Sequence, residues 1–346
     1  MTVSIIVPVH NASAYLARCL DSIGRLDPAP LECIVVDDAS TDDSVAIAER
    51  LGFQVIACRQ RGGPAAARNV GAREARGEIL LFIDADVLVP QGALTRILVR
   101  FAEAPERAAV IGSYDTEPGS PDLISQYRNL LHCYIHQTSE VRTCTFWTGC
   151  GAIRADVFRQ QGGFSEAYTA PCLEDMELGL RLRQAGQEIW LDKGLCVKHL
   201  KKLSFVNTVK TDVMDRAVPW TMLILRFRSM PADLNLRWEQ RACVLLAGAA
   251  AASLLALGVA AGHAEVRLWP AAAAALALVC LAFLNRRFYR FLAERRGGWF
   301  ALRAFPLHVV HFLCAGAGLA LGVLKYAVDD KAPAPAIEPQ STKCDG

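Results

Sequence analysis

Two rhythms of apolar residues divide this chain. Over roughly the first 200 positions, short apolar runs alternate with amphipathic stretches. Val3–Val9, residues 31–37, Gln54–Ala57 and Ile79–Ile83 read as buried strands bounded by polar or turn residues. Between them, residues 12–25, 43–51 and 64–76 carry helical spacing, with Asp42 or Asp43 placed to cap the second of these helices. Strand–helix alternation predicts an α/β domain over residues 1–202, a mostly parallel sheet with helices on both faces. Ligands of such sheets bind at the carboxyl ends of the strands.

The second rhythm is nearly uncharged. Residues 242–262, 268–284 and 304–326 are apolar stretches of roughly 17–23 residues, long enough to cross a bilayer. The middle one is short and Ala-rich, and a core hairpin is the alternative. The intervening loop, 285–303, holds Arg286, Arg287, Arg290, Arg295, Arg296 and Arg303 against one acid, Glu294. The positive-inside tendency puts that loop in the cytosol, and two crossings before it leave the first half of the chain on the same side. The expectation is a multi-pass protein of the cell membrane with its α/β domain in the cytoplasm. A third crossing places the Pro- and Ala-rich tail, 327–346, outside and disordered.

A linker, 203–241, joins the two parts. In residues 204–228, Val206, Val209, Val213, Ala217, Trp220, Leu223, Ile224 and Phe227 recur at helical spacing among Lys201, Lys202, Lys210, Arg216, Arg226 and Arg228. This pattern suits a helix in the headgroup layer, or an ordinary helix docked on the domain.

Composition changes the picture only slightly. The net charge of +2 gives no electrostatic argument for nucleic acid. The mean hydropathy of +0.24 comes mostly from positions after Arg241. The 12 cysteines form no Cys-x-x-Cys pair and read as small core residues in a reducing compartment. Met1 leads directly into Val3-Ser4-Ile5-Ile6-Val7, a strand rather than a signal peptide.

The candidate chemistry sits at predicted strand ends. Asp84-Ala85-Asp86 follows Ile79–Ile83; an extended Asp-x-Asp sends both carboxylates one way, and the repelling pair needs a cation, a shared proton or solvent. Oxygen ligands favour Mg2+ or Mn2+. Alone, the pair reads first as two solvated acids. Asp37 and Asp38 end an earlier strand, where a capping turn is the bland reading. Gly62-Gly63-Pro64 opens a helix containing Arg68 and Asn69, suited to phosphate or to a plain loop. Glu174 and Asp175 begin a helix whose dipole favours acids there, and the sharper reading makes Asp175 a general base with Glu174 beside it. His199 is a structural histidine or a metal ligand.

Taken in order, these motifs resemble the inverting family-2 glycosyltransferases. Pro8-Val9-His10-Asn11 is similar to the family's opening segment, with His10 in the usual Tyr position. Val36-Asp37-Asp38-Ala39-Ser40-Thr41-Asp42 resembles its nucleotide-binding turn, and Gly63 through Asn69 its Gly-to-Ala-Arg-Asn segment. Asp84-Ala85-Asp86 looks like the metal and diphosphate motif. Trp147-Thr148-Gly149 with Arg154 resembles the donor–acceptor junction, Gly162-Gly163-Phe164-Ser165-Glu166 the following turn, and Glu174-Asp175 the position of the catalytic base. The likeness covers roughly residues 3–200.

That resemblance implies a GT-A fold and direct displacement at the anomeric carbon. It implies donor contacts from Pro8, His10, Asn11, Asp37, Asp38, Arg68, Asp84, Ala85 and Asp86. Asp84, Asp86 and His199 would hold Mg2+ or Mn2+. Trp147, Thr148, Gly149 and Arg154 would lie on the acceptor side, and Asp175 with Glu174 at the base position. A membrane location adds a lipid-linked or polyprenyl-phosphate acceptor to the nucleotide-sugar donor. Asp215-Arg216-Ala217-Val218-Pro219-Trp220 only loosely echoes the Gln-x-x-Arg-Trp of processive synthases. The alternatives are such a synthase, an inactive nucleotide-sugar-binding scaffold, and a dehydrogenase, against which stands the lack of Gly-x-Gly-x-x-Gly after Val3–Val9.

Overall fold

The computed structural model of the chain describes residues 1–169, 172–227, 238–259 and 264–329. The linker from 228 to 237, positions 260–262 of the first expected span and the tail from 330 onward lie outside the described residues.

The α/β part runs β1 (Val3–Val9), α1 (Ser13–Gly24), β2 (Glu32–Asp37), α2 (Ser44–Arg50), β3 (Gln54–Ala57), α3 (Pro64–Glu74), β4 (Ile79–Ile83) and β5 (Val87–Leu88). It continues with α4 (Ala93–Glu103), β6 (Ala109–Tyr114), α5 (Leu123–Thr138), β7 (Arg142–Thr143), β8 (Cys150–Arg154), α6 (Ala155–Gln160), α7 (Glu174–Gln184) and β9 (Ile189–His199). The strands order as β3-β2-β1-β4-β8-β6-β9-β5, with β7 also on β9. From β3 to β4 the pairings are parallel, as the alternation predicts. Beyond β4 the sheet is mixed: β8 runs antiparallel to both β4 and β6, while β6 and β9 pair in parallel.

The period of two along β1 explains the two cores. Ile5, Val7 and Val9 face α1 and α4, meeting Leu16, Leu20, Ile97 and Phe101. Ile6 faces the other way, into a cluster with Ile34, Val36, Phe82, Phe158 and Phe164. Asp42 ties two helix starts together: its carboxylate accepts the Ser13 N–H at 2.9 Å and the Ser44 N–H at 3.1 Å. The 11 described cysteines are all free thiols, several of them buried.

The remainder is helical: α8 (Phe205–Lys210), a wide π turn (Thr211–Ala217), α9 (Val218–Phe227), α10 (Trp238–Val259), α11 (Ala264–Leu284), α12 (Arg286–Arg296) and α13 (Gly298–Asp329). By length and composition, α10 and α13 are apolar enough to cross a membrane, and α11 with α12 passes the same test as one pair bent by 67°. Two or three spans are therefore available.

Two expectations change here. The Arg-rich segment is mostly helix rather than loop. Phe288 and Leu292, four apart on α12, bury against Tyr127, Leu130 and Leu131 of α5. Arg296 donates to Gln126 Oε1 at 2.7 Å and pairs with Glu117 at 3.2 Å. These contacts put the Arg-rich helix directly on the α/β domain. The second change concerns the amphipathic segment, which docks lengthwise on α13. A Cβ on Gly318 would collide with Ala217, and one on Gly322 would lie 2.6 Å from Thr221. Small residues four apart open the groove that admits it.

Candidate functional site

The first strand ends build a strained turn. Asn11 and Ala39 adopt φ of 50° and 54°, values unusual for residues with a Cβ. Cross-bonds hold them there. Asn11 Oδ1 accepts the Thr41 N–H at 2.8 Å, and His10 Nδ1 lies 2.8 Å from the Asp38 carbonyl. Asp37 folds back on the Ser40 N–H at 3.1 Å. Both oxygens of buried Asp38 are occupied, accepting the N–H groups of Gly62 at 2.7 Å and Gly63 at 2.9 Å. Asp38 thus anchors the glycine loop to the end of β2. Gly63 has φ of 88°, and a Cβ there would sit 2.5 Å from the Thr169 carbonyl oxygen, so only glycine fits. Pro8 stands beside this turn, paired with Val36 across β1 and β2.

Arg68 is the hub of the site. Only 4 % exposed on α3, it donates to Asp84 Oδ1 at 2.9 Å and to Glu174 Oε1 at 2.8 Å. Residues 16 and 106 positions away along the chain are thereby joined through one guanidinium. Burial raises the Asp84 carboxyl pKa; Arg68 opposes this, and nearby Asp86 adds to the rise. Glu174 also accepts the Cys172 N–H at 3.0 Å, so its oxygens are committed to holding the start of α7 in place.

Asp175 is held differently. Its Oδ1 accepts the Met176 N–H at 2.7 Å, while Oδ2 lies a loose 3.4 Å from both the Thr148 N–H and hydroxyl. Burial, and then the charge of neighbouring Glu174, push its pKa up to about 7 against the pull of Arg68. A partly buried carboxylate titrating near neutrality suits proton transfer far better than one at its ordinary value.

Asp86 turns to the other side, with His199 Nε2 at 3.6 Å at the end of β9. Burial would raise the Asp86 pKa, but His199 and then Lys201 outweigh it and hold it low. Ala85 is buried between the two aspartates. The His199 ring lies 4.7 Å from that of Tyr114, which meets Trp147 edge-on at 4.8 Å. Gly149 lies close beneath the Trp147 indole.

Among the described residues, no three His, Cys, Asp or Glu side chains converge as a self-sufficient metal site. Asp84, expected as a second metal ligand, gives its Oδ1 to the buried Arg68 guanidinium, which Glu174 also meets. Asp86 beside His199 still fits a divalent cation whose shell is completed by phosphate oxygens and water.

Arg154 is the clearest displacement. It pairs with Ile79, at the start of β4, whereas Asp84 follows the end of that strand. Its Nε donates to the Arg107 carbonyl at 3.0 Å, and the guanidinium stacks on Phe101. The antiparallel direction of β8 carries it away from Thr148 to the opposite end of the sheet. Two residues go unnoticed or underweighted in the sequence. Tyr114 lies within the field of Asp86, Asp84 and Asp175, and the charge of Arg216 also reaches Asp175. Tyr114 sits in no motif that spacing would reveal, whereas Arg216 falls within the loose echo of Gln-x-x-Arg-Trp.

The mixed sheet, the acids at its strand ends and the Arg68 bridge define a GT-A type domain. The family model for glycosyl transferase family 2 matches residues 4–162. A Haemophilus influenzae glycosyltransferase of uncharacterised specificity is 34 % identical over 183 residues, covering 51 % of this chain and 73 % of its own length. The chain belongs to glycosyl transferase family 2. The glycosyltransferase GlyG of Streptococcus pneumoniae is 32 % identical over 117 residues, 32 % of this chain and 38 % of that protein. A second H. influenzae glycosyltransferase is 30 % identical over 194 residues, 52 % of this chain and 62 % of the relative. The chain thus spans under two thirds of the length of these last two relatives. Among solved structures, the mannosyltransferase PcManGT of Pyrobaculum calidifontis, in complex with GDP-Man and Mn2+, superposes with a TM-score of 0.59 at 20 % identity. That likeness covers 93 % of this chain and 87 % of the archaeal one and extends to the fold.

Proposed function

We propose that this chain is an inverting, membrane-anchored glycosyltransferase that moves one sugar from a nucleotide-sugar to a lipid-linked acceptor. The observation that carries the reading is Arg68, which joins the Asp84–Asp86 turn to the start of α7 and so sets Asp175 beside the donor end of the sheet. Membrane anchoring is supported by α10, α13 and the bent α11–α12 pair. The Arg-rich α12, seated on the catalytic domain, favours a cytoplasmic site by the positive-inside tendency.

In the mechanism, the turn formed by His10, Asn11, Asp37 and Asp38 receives the nucleoside, and the start of α3, with Arg68 one turn further on, would face the phosphates. Asp175 accepts the proton of the attacking acceptor hydroxyl as the new bond forms at the anomeric carbon and the nucleoside diphosphate leaves. Glu174 and Arg68 position it. Asp86 and His199 would hold Mg2+ or Mn2+, which supplies charge neutralisation to the diphosphate when bound. Thr148 and Trp147 border the acceptor side.

The raised Asp175 pKa favours a hydroxyl acceptor over a polyprenyl phosphate. A phosphate monoester, with a second pKa near 6, already attacks as an anion and needs no base. The test is to incubate the detergent-purified chain with UDP- and GDP-sugars and both acceptor kinds, reading products by mass spectrometry. Addition of one sugar to a lipid-linked hydroxyl supports the reading. A long polymer, or no transfer with any donor, defeats it.

A further inference from the structure

A cluster of rings lies between two arms of the reaction centre. Tyr114 closes β6 beside Val197 of β9, just past a register shift between Ile111 and Ser113. Such irregularities re-aim the side chains around them. The Tyr114 ring lies 4.7 Å from that of His199, 4.8 Å from Trp147 and 4.7 Å from His132 of α5. His132 in turn sits 4.2 Å from His136, and these two imidazoles lie 5.1 and 5.4 Å from the Trp147 indole. His136 Nδ1 is 3.1 Å from the Gly112 carbonyl oxygen, which holds α5 against the register shift.

Within the cluster, Tyr114 touches both arms. On one side it meets His199, whose Nε2 stands 3.6 Å from Asp86. On the other it meets Trp147, which precedes Thr148, and the Thr148 N–H and hydroxyl lie 3.4 Å from Asp175 Oδ2. The indole folds over its own turn so closely that a Cβ on Gly149 would come 2.4 Å from it. A shift of the indole therefore carries Thr148 with it. Among the described residues, no hydrogen bond or ion pair joins Asp86 or His199 to Thr148 or Asp175. The Tyr114 hydroxyl likewise makes no hydrogen bond among the described residues, which leaves the flat ring as the link. Ring pairs prefer particular angles as well as distances, so a ring fixes the orientation of its neighbours where an aliphatic chain would not.

We infer that Tyr114 is a positioning residue: its ring, wedged between His199 and Trp147, sets the Asp86–His199 pair and the Thr148–Asp175 pair relative to each other. The inference rests on the glycosyltransferase reading above. His199 then presents one fixed edge to a divalent cation beside Asp86, and Thr148 keeps Asp175 turned toward the acceptor side.

The test uses the full chain in detergent. Tyr114→Leu keeps an apolar side chain but removes the ring. The Mn2+ concentration for half-activation should rise by about tenfold, the effect expected when the support behind a metal ligand is lost. At saturating Mn2+, kcat should fall by about tenfold and the acceptor KM should rise several-fold. Tyr114→Phe keeps the ring and should stay within twofold of wild type in all three quantities. Phe101→Leu thins the same core at the opposite end of the sheet, and should lower the melting temperature while moving none of them. Where Tyr114→Leu fails to fold, Tyr114→Met, which keeps more of the ring's volume, carries the same test. Wild-type values in the Leu variant, a shift confined to one arm, or an equal loss in Tyr114→Phe overturns the inference; the last would make the hydroxyl the acting group. Should the wild-type chain transfer no sugar, the functional reading fails separately. Mn2+ binding in the presence of UDP or GDP, read from the EPR signal of the free ion, then decides the metal side. Tyr114→Leu should bind Mn2+ several-fold more weakly than wild type and Tyr114→Phe within twofold of it. Equal affinity in the Leu variant, or no Mn2+ binding by wild type, overturns the inference.

Discussion

Replacing Asp175 with Asn removes a charge that the fold resists and the reaction needs, so activity and stability should move in opposite directions. The carboxyl is displaced from an ordinary 3.8 to about 7 by burial and by Glu174. Loss of a general base costs about 10²- to 10⁴-fold in rate, and kcat with a lipid-linked hydroxyl acceptor should fall by that factor. In the wild type, kcat/KM should rise tenfold per pH unit below about 7 and level off above it. Stability follows the opposite sign. Between pH 4 and 7 the folded carboxyl keeps a proton that the unfolded chain has released, so stability declines as pH rises through that window. From pH 5 to pH 8 the displacement amounts to about 2 pKa units, or about 3 kcal/mol at most. The Asn variant escapes this penalty, so its advantage in apparent melting temperature should grow from pH 5 to pH 8. The assays are a radiolabelled transfer time course and intrinsic-fluorescence melting across that range. Wild-type turnover in the variant, or a pH-independent wild-type rate, would refute the assignment of Asp175 as the base.

Three further outcomes follow from the same geometry. Arg68→Met strands Asp84 and Glu174 as buried, unpaired anions; breaking such a pair costs about 3–5 kcal/mol, visible as a lower melting temperature together with lost transfer. Chelation by EDTA should abolish transfer and added Mn2+ or Mg2+ should restore it, with Asp86→Asn needing a higher metal concentration for half-activation. Arg154→Ala should leave donor KM and kcat within about twofold, because its guanidinium sits on Phe101 at the opposite end of the sheet; a tenfold loss would place it at the site after all.

The sequence carried the local decisions. Short continuous apolar runs were enough to place β1, β2 and β4, which are largely buried and rich in Val, Ile and Leu, and the shorter run at β3 marked a half-buried strand. The acids at their ends could be located because a parallel strand fixes which end its following turn occupies. Uncharged length alone identified α10 and α13, as nothing else in a chain needs twenty apolar residues in a row. What stayed hidden depended on direction and distance. The antiparallel run of β8 separated Arg154 from Thr148, although they are six positions apart. The clustering of Phe288 and Leu292 against α5 turned an Arg-rich loop into a docked helix. Most of all, sequence spacing says nothing about which anions one buried guanidinium will bridge. The bridge from Arg68 to Asp84 and Glu174 is a choice made by packing, because a charge deprived of water takes whichever opposite charges the fold brings within 3 Å.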